Sequence, residues 1–225
     1  VKFDDPKRKT QILLRQANAY RHLFQFSKAR DIYRDVLKAS NTMLNIQVEA
    51  AKLHQEWAAL VKDEDKAALY LRAMAGAEKD PATGKNVIWG WGRLFQVASK
   101  DPKFRDVFHE ARYNLALCRF NMSRVQKSKS EEQEQLKKAK DAITQTQQLF
   151  GSGPEWDAWR PRYDALLKEI QKALGEKPLG LPPSQLPAAA GDAAKAAAVK
   201  PAASPAPPPL KLPVSPAPPA AKKAA

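Results

Sequence analysis

The chain has 225 residues and a net charge of +14, from 38 lysines and arginines against 24 acids. Its one cysteine, Cys118, excludes an intramolecular disulfide and a cysteine metal cluster. No apolar run is long enough to cross a bilayer, and the positive balance permits acidic proteins, nucleic acid or an anionic surface as partners.

Because the sequence begins at Val1, its N-terminus reads as processed or as cut from a longer protein, and missing targeting signals say little about location. Asp5-Pro6 is a turn into the first helix. Leu13, Gln16, Ala17, Tyr20 and Phe24 recur at steps of three and four, so they share one helical face. After Phe26-Ser27 the pattern restarts with Ala29, Ile32, Tyr33, Val36 and Leu37. Ser27 is the expected N-cap of this second helix and Asn41 its stop. Ala17 and Ala29 leave room for two backbones to approach.

A small residue, an aromatic three later, a small residue twelve after the first and an aromatic four beyond resembles the tetratricopeptide repeat, with Ala17, Tyr20, Ala29 and Tyr33 in those places and Leu13 at the large apolar position. The period of that family is about 34 residues. Ala17 returns as Ala51, inside the run Gln47, Ala50, Ala51, His54, Ala58, and Ala67, Tyr70, Leu71, Met74 and Ala75 repeat the second-helix spacing. The resemblance covers about Gln11 to Leu174 and is closest in the first hairpin. It implies an all-α chain of antiparallel helical hairpins stacked as a right-handed solenoid of about eight helices, with a further repeat upstream.

Helix three is expected from about Thr42 to Val61 and helix four from about Glu64 to Glu78, ended by Asp80-Pro81. Acids at Asp63, Glu64 and Asp65 suit a helix start, where they meet the dipole. Helix five, from about Asn86 to Ser99, contains the run NVIWGWGRLF. Within a helix Trp89 and Trp91 point to different sides, one core and one exposed, and Gly90 and Gly92 each cost about 1 kcal/mol relative to alanine. Close packing repays that cost on one reading, a ligand-contacting aromatic on the other. Asp101-Pro102 caps and opens helix six, which runs to about Val125. Phe104, Phe108, Ala111, Leu115, Cys118 and Met122 form one of its stripes. Val107, Ala116, Leu117 and Phe120 form another, so the helix is sandwiched between neighbours. It suits either a first helix of a repeat or a second helix paired with helix five.

Helix seven follows a charged segment and ends at Phe150. Gly151 and Pro154 mark the break before helix eight, whose apolar face (Trp156, Trp159, Tyr163, Leu166, Leu167, Ile170, Leu174) is backed by a charged one. The expected folded domain is therefore 1–174. From 175 to 225 stand thirteen of the eighteen prolines, no aromatic residue, and six lysines against Glu176 and Asp192. This composition predicts a disordered tail of charge +4, leaving about +10 on the folded part. Its lysines are too sparse for a dense phosphate-neutralising arm.

Chemical motifs are few. His109-Glu110 opens an HExxH-like string, but Tyr113 stands at the second ligand position. Thr83-Gly84-Lys85 lacks the first glycine and the preceding strand of a phosphate loop. Cys118 has no base and reads as a buried thiol. No enzyme, cofactor or metal is expected. The resemblance instead implies a partner groove lined by first helices, with Leu14, Asn18 and Arg21 from the first hairpin and Val48, Lys52 and Gln55 from the second. If helix six is a first helix, Tyr113, Leu117 and Phe120 join them. Leu14 replaces the lysine of members that clamp a peptide carboxylate, which argues against that clamp. The expected function is a scaffold or adaptor for a protein segment. The alternatives are a basic protein associating with nucleic acid and a regulatory domain of a larger protein.

Overall fold

In the computed structural model, residues 5–182 are described, the side chains of 63 and 64 excepted. Eight helices and one short strand hairpin follow in the order α1 Pro6–His22, α2 Phe26–Ala39, α3 Leu44–Leu60, α4 Asp63–Ala75, β1 Ala77–Lys79, β2 Asn86–Ile88, α5 Trp91–Ala98, α6 Arg105–Ser123, α7 Lys129–Phe150 and α8 Pro154–Ala173. No described helix is long and apolar enough to cross a membrane.

Side-chain caps set three of the helix starts. Asp5 accepts a hydrogen bond from the Lys7 amide at 2.9 Å and Pro6 opens α1. Asp101 caps a single 3-10 turn, Pro102–Phe104, that leads into α6. Ser128 caps α7 by accepting from the Glu131 amide. Ser27 does not cap α2. That helix begins one residue earlier, at Phe26, with no side-chain cap, after Phe24 has turned into the left-handed region (φ 57°). Burial of Phe26, stacked on Trp57 at 5.9 Å, offsets the missing cap.

The stretch 76–90 departs from the helical expectation. α4 stops at Ala75, and the chain forms an antiparallel hairpin pairing Ala77 with Ile88 and Lys79 with Asn86. Trp89 thus precedes α5 rather than lying in it, and both Trp89 and Trp91 are buried. The glycines are not in a helix interior. Gly90 occupies the N-cap position of α5, where a Cβ would run into the carbonyl of Met74 and the amide of Gly76. Close backbone approach is the reason for glycine there.

Three apolar clusters follow one another along the chain. The first joins α1, α2, one face of α3 and β2 (Ala17, Tyr33, Leu37, Leu53, Ile88). The second joins the other face of α3 to α4, α5 and α6 (Ala51, Tyr70, Trp91, Leu94, Cys118). The third joins α6 to α7 and α8 (Phe120, Ile143, Trp156, Tyr163). Both proposed partners of α6 are therefore real neighbours: its Ala111, Leu115 and Cys118 belong to the second cluster, its Ala116 and Phe120 to the third.

The packed part also ends later than Leu174. Leu181 is buried in the third cluster, its amide donating to Asp164 at 2.8 Å, while the Gly180 amide donates to Gln171 at 2.8 Å and Arg160 donates to the Pro182 carbonyl. One leucine and these backbone bonds hold residues 175–182 as a strap along α8, against the compositional expectation. The remainder of the expected tail lies outside the described residues.

Candidate functional site

Three helices line one polar concavity of about 250 Å³: α3 gives Lys52, Gln55 and Glu56, α6 gives Glu110, Tyr113 and Asn114, and α8 gives Trp159 and Arg162. α1 reaches its edge through Arg21, whose guanidinium bonds both Glu56 oxygens and Glu49. Glu49 also takes Lys52 at 3.2 Å, and Lys52 continues to Glu110 at 2.8 Å. One alternating chain of charges thus ties α1 to α3 and α3 to α6.

This chain sets the electrostatics. Burial alone would pull the Arg21 and Lys52 pKa values down, but the carboxylates of Glu56 and Glu49 for Arg21, and of Glu110 and Glu49 for Lys52, outweigh it and raise both. Glu49 is lowered despite burial, by Lys52 and Arg21. Arg21, Lys52 and Glu49 are thus held in their charged forms. Three carboxylates face Arg21, Lys52 and Arg162, so the +14 of the chain is not displayed on this surface.

Neutral recognition groups sit beside the ion pairs. Gln55 donates to Asn114 at 3.1 Å and accepts from the Trp91 indole at 2.9 Å, with the Cys118 thiol at 3.4 Å from the same oxygen. Cys118 itself is fully buried, and burial pushes its thiol far above the usual range, so it is inert at neutral pH. Tyr113 stands 5.8 Å from Trp159, and the Arg162 guanidinium lies 4.6 Å from the centre of the Trp159 ring.

Of the residues expected in the groove, Lys52, Gln55 and Tyr113 line this concavity, and Arg21 joins through Glu56. Asn18 is exposed on α1, where it accepts a hydrogen bond from Tyr33 at 2.7 Å. Val48 and Phe120 are corrected: each is 5 % exposed and belongs to the core, Val48 in the second cluster and Phe120 in the third. Leu14 and Leu117 are half-buried at core edges. Sequence reasoning missed Glu49, Glu56, Glu110, Asn114, Trp159 and Arg162. A signal was available for α3, where Glu49, Lys52 and Glu56 recur at steps of three and four along one face.

Comparison with family models, with curated proteins and with solved structures finds no match to this chain.

Proposed function

We propose that the chain is a non-enzymatic scaffold of the tetratricopeptide-repeat kind, a right-handed stack of helical hairpins that captures a protein segment across the face shared by α1, α3, α6 and α8. The observation that carries this reading is the convergence of Lys52, Gln55 and Tyr113, sixty-one positions apart in sequence at the extremes, on one concavity. Its amides suit an extended main chain, which presents alternating donors and acceptors, and the Tyr113–Trp159 pair suits an apolar or aromatic anchor side chain. Near-balanced charge on this face disfavours nucleic acid as its ligand, since phosphate binding needs a surplus of cations.

Peptide-library selection against the whole chain tests the reading. Trp159→Ala and Arg162→Glu should weaken the selected peptides about tenfold or more, with helicity retained by circular dichroism. Arg21 and Lys52 are poorer probes, because they tether helices to each other. Selected peptides indifferent to both substitutions would remove this face as the site. A steep salt dependence of binding to random RNA or DNA would favour the nucleic-acid alternative instead.

A further inference from the structure

A second concavity lies on the other side of α6. At 100° per residue, Glu110, Tyr113 and Asn114 project to one side of that helix, and Arg112, Leu115, Arg119 and Met122 to the opposite side. This groove encloses about 690 Å³. α6 forms its floor, α4 and α5 one wall through Leu71, Met74 and Phe95, and α7 the other through Gln135 to Gln145.

Its charge is uncompensated in a way the first face is not. Arg112 donates to the Thr146 hydroxyl at 2.8 Å and the Ala142 carbonyl at 2.9 Å and lies 5.0 Å from the centre of the Phe95 ring. Arg119 reaches only the Gln135 side-chain oxygen, at 3.3 Å. Both are half-buried, and neither meets a carboxylate within ion-pair distance among the described residues. Burial lowers the pKa of each, for Arg119 against the weaker opposing pull of the Glu134 carboxylate. Lys138 on the wall is taken by Glu134, and Asp141 is the one acid in the lining.

We propose that this groove docks an acidic amphipathic helix of a partner protein. The floor from Arg112 to Met122 is about 15 Å long, and the arginines stand seven residues, about 10 Å, apart. A docked helix with two carboxylates two turns apart pairs both. Its apolar stripe then covers Leu115 and Phe95 and the rim residue Leu71, which is 53 % exposed. Met74 on the wall and Met122 on the floor give the groove a shape that adjusts to the incoming side chains. The chain's own residues 183–225 are the wrong occupant, with five lysines against one acid. Nucleic acid is disfavoured because Leu115 stands between the arginines on the floor, Lys138 is paired with Glu134, and Asp141 in the lining repels phosphate. The site stands whether or not the first face binds a peptide.

The test uses the full chain and two labelled synthetic helices of about fourteen residues, alike in a leucine stripe. One carries glutamates two turns apart, the other lysines at the same places. Fluorescence anisotropy should show the glutamate helix binding at least about tenfold more tightly than the lysine helix. Arg119→Glu, whose parent side chain hydrogen-bonds Gln135 and no carboxylate among the described residues, should reverse that preference, and Leu71→Glu should weaken both complexes. Trp159→Ala should change neither. Equal binding of the two helices, or an Arg119→Glu variant with unaltered preference, overturns the proposal. So does displacement of the glutamate helix by single-stranded polynucleotide with the same dependence on Arg119.

Discussion

Gln47 and His54 lie one above the other on the buried face of α3, and each stands for a different way of burying polarity. Gln47, fully buried, accepts from the Trp89 amide at 2.6 Å and donates to the carbonyls of Val87 and Asn41, so its amide sutures α3 to the strand hairpin. In the sequence it reads only as one more member of an apolar run. His54 is also fully buried, but one ring nitrogen contacts the Ala50 carbonyl at 3.0 Å and the other has no hydrogen-bond partner among the described residues. Burial, against the weaker opposing pull of that carbonyl, drops its pKa to about 4. His109 in α6 is likewise pushed down to about 4, by burial and then by Arg105. Both must be neutral in the folded protein, whereas in the unfolded chain they titrate near 6.5. The unfolded state therefore binds more protons between those values, so stability is complete above about pH 6.5 and falls as the pH drops towards 4. Each histidine should cost about 2 kcal/mol between pH 7 and pH 5. Urea unfolding at the two pH values measures this, and His54→Leu should remove about half of the difference. A flat profile would mean that both rings are solvated in the native state.

At the scale of elements, the junction between α4 and α5 is the least tolerant place in the fold. Gly76 (φ 96°), the Ile88 carbonyl and Gly90 pass one another so closely that an added Cβ has nowhere to go. The Asn86 side chain closes the end of α4 by donating to the Ala75 carbonyl at 2.9 Å. Gly90→Ala should cost about 3 kcal/mol or more, because the obstructing atoms are backbone and cannot swing away. Gly84→Ala in the hairpin turn, where a Cβ meets nothing, should cost only its positive φ, about 1 kcal/mol. Thermal melts of the two variants separate the mechanisms, and equal losses would refute the close-approach argument. This same junction is what periodicity misread. Three-residue strands are too short to show a period of two, and Ile88, Gly92 and Phe95 happen to fall at helical steps. Helices α1 to α4 and α6 to α8 were legible because each runs three turns or more with a repeating apolar stripe. The strap at 175–182 was hidden because one buried leucine does not alter a Pro-rich composition. In the polar concavity, Lys52, Gln55 and Tyr113 were reached through the repeat resemblance, which places them on the groove side of first helices. Their partners Glu110, Trp159 and Arg162 could not be reached that way, since an ion pair across helices leaves no mark in either helix alone. Val48 and Phe120 were placed on the right helices but one step inside the line where groove becomes core.

For the molecule as a whole, what matters is that α3 and α6 each serve two clusters. Ile46, Ala50 and Leu53 of α3 belong to the first cluster and Val48, Ala51 and Ala58 to the second; α6 divides in the same way between the second and third. Coupling between the first and third clusters then passes mainly through these two helices, as in assemblies where each unit contacts its neighbours. Cooperativity in such an arrangement is graded, and damage at one end should stay there. Trp156→Ala provides the test. This tryptophan is 1 % exposed, stacks on Tyr163 at 5.4 Å and fills the third cluster, so its truncation should cost about 3–5 kcal/mol locally. Hydrogen exchange followed by mass spectrometry should show faster exchange in α7, α8 and the 175–182 strap, an intermediate change in α6, and almost none in α1 and α2. The reciprocal substitution, Tyr33→Ala in the first cluster, should invert the gradient. If instead every peptide accelerates by the same factor in both variants, the three clusters unfold as one body, and α3 and α6 transmit the loss rather than contain it.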